Sequence, residues 1–255
     1  MVRREALLHI WYQPVVDLRT DAIVRAEALL RPEPDVEGVR RPDEIVLDAE
    51  RLGEIRTLAD TTFERAFDDW RALGRPDIGL SINLSLKNLD ERDLAKRVES
   101  ALRRRRLDPR LLSVELSERV QLVVEPTALE QIARLTRLGV RLSLDGFGRG
   151  ISHTTPYDLQ RLPLAELKLD PRIVAQIDVD LAARSQLASV VELGRSLGVD
   201  VVAKGIERKG VALAAARLGC THGQGFYFAE PMPIAELARV LAAPKRADAS
   251  GERGA

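Results

Sequence analysis

Apolar and polar positions along this chain follow two periods. Short apolar runs of strand length recur, and stretches with helical spacing stand between them. LLHIWYQPVV reads as the first strand and IVRAEALL as the second, with the turn residues DLRTD between them. Helices are predicted from Asp43 to about Leu73, then near Glu91–Arg106, Pro126–Leu138, Leu181–Leu197, Gly210–Leu218 and Pro233–Leu241. Asp43, followed by Glu44, has the chemistry of an N-cap and first turn. Strands separated by helices of this length make βαβ units. Only the short DLRTD turn separates the first two strand patterns, so those strands are expected to be antiparallel.

Seven of the apolar runs end on a polar or charged residue. They are IVRAEALL with Glu27, IGLSINLS with Asn83, LLSVELSE with Glu115 and Glu118, VRLSLDGF with Asp145, AELKLD with Lys168, VDVVAKGIE with Lys204 and Glu207, and GQGFYFAEP with Gln224. Parallel strands buried on both faces have this pattern, almost continuously apolar with chemistry at the tip. In a (β/α)8 barrel the carboxyl ends of the strands share one mouth, where residues distant in sequence converge. The expected fold is therefore α/β, a modified, TIM-like (β/α)8 barrel with its first strand antiparallel. Carboxylates, an amide and a lysine at one mouth call for a divalent cation and an anionic substrate.

The 255 residues suit one such barrel, assigned to residues 1–244, and 45% are hydrophobic, enough for one large core. The polar tail at 245–255 is expected to be disordered. Net charge is zero, which removes the footprint of a protein that binds long nucleic acid. The single cysteine, Cys220, excludes an internal disulfide and fits a reducing compartment. No apolar stretch approaches the ~18–20 residues of a membrane span, and MVRREALLHIW lacks the features of a signal peptide, so a soluble cytoplasmic protein is expected. His9, His153 and His222 have no metal-ligand spacing and are read as structural or incidental. The Arg103–Arg106 run is read as a solvated helix end. Lysine is scarce, at positions 87, 96, 168, 204, 209 and 245, yet two of the six fall at strand tips. A compact ammonium is wanted there rather than a guanidinium fork.

YQPVVDL, AEALLR, SINLS, VELSE, LDGFGRG, LPLAELKLD, VVAKGIE and GCTHGQGFYFAEP, in this order, resemble the motifs of the EAL-domain family over about residues 8–243. A second EAL triplet at Glu5–Leu7 precedes the first strand and is a decoy. The family comprises cyclic di-GMP phosphodiesterases and catalytically degenerate relatives, built on a modified barrel with an antiparallel first strand. The resemblance implies hydrolysis of one phosphodiester to the linear dinucleotide with Mg2+ or Mn2+. It assigns the first metal to Glu27, Asn83, Glu115 and Asp145, loop support to Glu118, and catalytic positions to Lys168 and Glu207. Gln13, Leu29, Arg31, Asp170 and Gln224 match positions around the bound nucleotide.

Two positions depart from that pattern. The family's loop motif has two consecutive aspartates, and Gly146 replaces the second, which supports a second metal. Lys204 stands where a glutamate is held to serve that metal and the activation of water. Pro32 and Glu230 are milder departures, from an aromatic and a basic residue respectively. Aspartate to glycine and glutamate to lysine together make the site three units more positive than the pattern. At ~4 Å and an effective dielectric near 20, each unit pair is worth roughly 4 kcal/mol. At most one metal site is expected, with the second lost, and Lys204 is expected to contact the ligand phosphate in its place.

Three functions follow. The leading one is a cyclic di-GMP receptor with lost or very weak phosphodiesterase activity, acting through a protein effector. The alternative is a metal-dependent phosphodiesterase working with one metal and Lys168. The third is a protein-binding regulator that has abandoned the nucleotide. Relatives often dimerise, so a homodimer is among the expected partners.

Overall fold

The structure, a computed structural model, describes residues 8–32, 42–117, 125–148 and 159–243. The strands are β1 (Leu8–Asp17), β2 (Ala22–Pro32), β3 (Gly79–Leu84), β4 (Leu112–Ser117), β5 (Arg141–Phe147), β6 (Glu166–Leu169), β7 (Asp200–Ala203) and β8 (His222–Gly223). They close into one barrel in sequence order. β1 is antiparallel to both β2 and β8, and every other neighbouring pair is parallel. The expected architecture, including the reversed first strand, is present. The short turn leaves β2 no room for a crossover, so it returns as a hairpin partner.

The helices are α1 (Pro42–Leu52), α2 (Ile55–Leu73), α3 (Leu86–Leu89), α4 (Leu94–Arg105), α5 (Pro126–Arg137), α6 (Pro171–Val174), α7 (Leu181–Leu197), α8 (Lys209–Leu218) and α9 (Ile234–Ala242). The single helix expected over 43–73 is two. The chain breaks at Gly53, whose φ is +71°, between α1 and α2. Pro42 opens α1, which places Asp43 and Glu44 within its first turn rather than at the cap. α2 buries Ala59, Phe63, Ala66, Phe67 and Trp70, a stripe at helical spacing that packs on the barrel wall.

The arginine run is not simply solvated. Arg104 and Arg105 bond to Glu64 of α2, and Arg105 also to Asp68, while Arg97 reaches Asp60. Asp60, Glu64 and Asp68 share one face of α2 because they are four residues apart. The ladder locks α2 to α4. Arg106 itself ends α4 in the left-handed region.

The barrel interior is more polar than the strand runs suggest. Below the tips lies a buried layer of Arg25, Ser81, Ser113, Ser143 and Glu166. Arg25 pairs with Glu166, and Ser143 Oγ donates to Glu166 Oε1 at 3.0 Å. This neutral pair forms the floor on which the mouth is built. Among the described residues no helix is long and apolar enough to cross a membrane.

Candidate active site at the carboxyl ends of the strands

Register places the mouth residues in facing pairs. Gln13 lies opposite Glu27 across β1 and β2, Asn83 opposite Glu115 across β3 and β4, and Asp145 opposite Lys168 across β5 and β6. Alternation along each strand turns these side chains to the barrel axis.

Lys168 lies at the centre. It is fully buried, and its ammonium contacts Glu115 Oε1 and Oε2 at 2.5 and 2.6 Å and Glu27 Oε2 at 2.8 Å. Glu27 also accepts from Asn83 Nδ2 on Oε1 and from Gln224 Nε2 on Oε2, both at 2.8 Å. Gln224 Nε2 donates as well to Gln13 Oε1, and Gln13 Nε2 to the Ala229 carbonyl, each at 3.2 Å. Lys204 enters from the end of β7. Its Nζ lies 2.8 Å from Asp145 Oδ1 and 3.7 Å from Glu27 Oε2.

The electrostatics follow from this packing. Burial raises the cost of ionising Glu27, but Lys168 and Lys204 outweigh it and hold the carboxyl well below its usual range. Burial and the charge of Glu27 push Glu115 up to about 7. Burial works against the Lys204 ammonium, and Glu27 and Asp145 overcome it, so this lysine stays charged. Three carboxylates thus face two fixed ammonium groups.

The donor set of Glu27, Asn83, Glu115 and Asp145 is all oxygen, of the kind a hard divalent cation takes. Gln224 adds a buried Oε1 with no hydrogen-bond partner among the described residues. The chemistry of this set fits one ion. That ion would compete with Lys168 for Glu115 and with Lys204 for Asp145. Beside this set, Gly146 offers no side-chain ligand and Lys204 brings a positive charge.

Other expected residues fall as follows. Leu29 and Arg31 follow Glu27 on the same face of β2, both half-buried, and Arg31 Nη1 donates to the Leu30 carbonyl at 2.9 Å. Asp170 is buried, and its Oδ1 caps α6 by accepting from Arg172 N at 2.9 Å. Glu207 is exposed, and no hydrogen bond or ion pair ties it to the lysine–carboxylate cluster among the described residues. Glu118 and His153 lie outside the described residues. Sequence reasoning missed Arg25, Glu166 and Arg172. For the first two the signal was available as a period of two, since Arg25 precedes Glu27, and Glu166 precedes Lys168, by two residues.

His222 has a structural setting. With Glu166 and Asp200 it forms a group whose ligand atoms lie within 4.8 Å of one another, at the amino ends of the strands and opposite the mouth. Arg25 and Arg141 already pair with its two carboxylates. Linear spacing hid this group because the three residues come from three strands.

The EAL-domain family model matches residues 2–231, and the chain belongs to that family. It is 32% identical over 238 residues to the bifunctional diguanylate cyclase/cyclic di-GMP phosphodiesterase MucR of Pseudomonas aeruginosa, covering 92% of this chain and 34% of that one. The cyclic di-GMP phosphodiesterase NbdA of the same organism is 30% identical over 243 residues, covering 94% and 31%. The chain therefore spans about a third of the length of these relatives. Among solved structures, the cyclic di-GMP complex of the PaMucR phosphodiesterase superposes with a TM-score of 0.85 at 30% identity, covering 92% of this chain and 97% of that one. The EAL domain of Mycobacterium smegmatis DcpA gives 0.76 at 26% identity, covering 93% and 96%.

Proposed function

We propose that this chain binds cyclic di-GMP at the barrel mouth and has lost phosphodiester hydrolysis or retains very little of it. The observation that carries this reading is the Lys204 ammonium, fixed 2.8 Å from Asp145 Oδ1. It supplies a tethered positive charge where the family pattern has a carboxylate. Lys204 and Arg31 together offer a phosphate an ammonium and a planar fork. Lys168 offsets Glu27, and Glu115, pushed up to about 7 by burial and by Glu27, is partly protonated at neutral pH, so the negative charge that an anion meets is reduced.

Hydrolysis needs an attacking water, a base and charge stabilisation at the leaving oxygen. A divalent ion held by Glu27, Asn83, Glu115 and Asp145 would polarise the phosphate when bound. The carboxylate expected to act with it is replaced by Lys204, and the surviving Glu207 is exposed. Losing a positioned base typically costs ~10²–10⁴ in rate.

Convergence of the whole oxygen set favours a second reading, a one-metal phosphodiesterase. One experiment separates the two. Concentrated protein is incubated with cyclic di-GMP and Mg2+ or Mn2+, and the nucleotide is chromatographed. The receptor reading expects binding with intact ligand, and affinity that survives a chelator. Linear dinucleotide that disappears in a Glu27→Ala variant would establish the enzyme instead. Failure to bind the nucleotide at all would leave the protein-binding regulator.

A further inference from the structure

Arg172 has no part in the reading above, yet its setting is built. Glu166, Lys168 and Asp170 alternate along β6 and its end, so all three face the barrel axis. Glu166 sits on the floor with Arg25, Lys168 among the carboxylates, and Asp170 about 7 Å nearer the mouth, two residues further along the strand. The Asp170 side chain is only 2% exposed, whereas that of Arg172 is 68% exposed. Asp170 Oδ1 accepts from Arg172 Nε at 3.1 Å as well as from its backbone N–H. A buried carboxylate thus holds an exposed guanidinium by one nitrogen. Among the described residues, neither Nη group of Arg172 has a hydrogen-bond or ion-pair partner.

The backbone under Arg172 is also held on both sides. Ile173 is buried. Pro171 presses against Gly205, where an added Cβ would come within 2.6 Å of the proline Cβ. Gly205 directly follows Lys204, so α6 is seated against the loop that carries the tethered ammonium. The Arg172 fork is therefore positioned in advance, beyond the end of β6 that carries Lys168.

We propose that Arg172 reads the edge of a guanine in the bound dinucleotide, donating from its two Nη groups to O6 and N7. The proposal rests on the reading that the mouth takes cyclic di-GMP. Two adjacent acceptors on guanine match the end of a guanidinium, whereas adenine places a donor beside its N7. A phosphate would accept the same fork, but the ammonium groups of Lys168 and Lys204 lie deeper, on side chains 0% and 17% exposed against 68% for Arg172.

The test compares cyclic di-GMP with its 7-deazaguanine analogue, which lacks the N7 acceptor on both bases. Each is titrated into the full chain, its Arg172→Ala variant and its Arg172→Lys variant. Wild type should bind cyclic di-GMP roughly tenfold more tightly than the analogue, a discrimination of the size one broken bidentate pair produces. Arg172→Ala should bind cyclic di-GMP roughly 10- to 100-fold more weakly and treat the two ligands alike. Arg172→Lys keeps the charge and a donor without the planar fork, and should fall between wild type and Arg172→Ala in both affinity and discrimination. Equal weakening for both ligands with discrimination intact would assign Arg172 to phosphate and overturn the proposal. An unchanged affinity in Arg172→Ala, or a wild type that does not discriminate, would overturn it too. A wild type that binds neither ligand would instead sink the nucleotide-binding reading itself. Arg172 is exposed, so an unchanged thermal midpoint serves as the folding control.

Discussion

Lys204 Nζ and Asp145 Oδ1 lie 2.8 Å apart, joining the end of β7 to the end of β5 across the mouth. Glu27 Oε2 completes the contact at 3.7 Å. A charge-assisted bond of this kind is worth ~1.5–3 kcal/mol. Lys204→Ala should leave Asp145 and Glu27 without this cation and make nucleotide binding depend on a divalent ion. In a chelator its affinity should fall about 10- to 100-fold below wild type, and Mg2+ should recover most of the loss. Titrations with and without the ion check this, and an affinity indifferent to both the mutation and the chelator would refute it.

Gly146→Asp together with Lys204→Glu should produce metal-dependent hydrolysis. Gly146 sits at a bulge between β5 and β6 with φ +77°, and a Cβ there meets nothing within 4 Å. Aspartate is among the residues that tolerate this region, at a cost on the order of 1–2 kcal/mol. Both groups serve one metal position, so either single change should do much less than the pair. Chromatography of the product across the four variants measures the coupling.

Lys168→Met should lower stability by about 3–5 kcal/mol at neutral pH, because it strands two buried carboxylates. The deficit should shrink in acid. Burial and Glu27 already push Glu115 up to about 7, above its ordinary value of 4.5. Removing the ammonium takes away an influence that lowers it. A folded pKa above the unfolded one means that the folded state binds the extra proton, so stability falls as pH rises through this range. Urea melts should therefore show a smaller gap between variant and wild type at pH 5 than at pH 8.

Cys220 is 5% exposed, and burial pushes its thiol up to about 12. The thiolate is the reactive form. Alkylation at pH 8 should be slow in the native protein and complete quickly in denaturant. Fast native labelling, followed by mass spectrometry, would contradict the packing around this residue.

The mouth was legible from sequence because each strand carries its own punctuation. A run such as VRLSLDGF declares a strand and exposes Asp145 at its end through local spacing alone. The floor was less legible. Ser81, Ser113 and Ser143 interrupt their runs only mildly, and Arg25 and Glu166 read as single oddities until the closed barrel makes them partners. The helix expected over 43–73 failed for a local reason, since a stripe of apolar residues continues across Gly53 while the backbone does not.

The sequence by itself determined the order of strands, the reversed first strand and the identity of the charged tips, because hydrophobic period and turn residues act over a few positions. Tertiary structure decided which charge meets which. Lys168 is 141 residues from Glu27 and 53 from Glu115, yet it bonds to both. Lys204 takes Asp145, and Asp170 turns to Arg172. Those pairings follow from barrel closure and register, which set distances across the axis that no local pattern encodes.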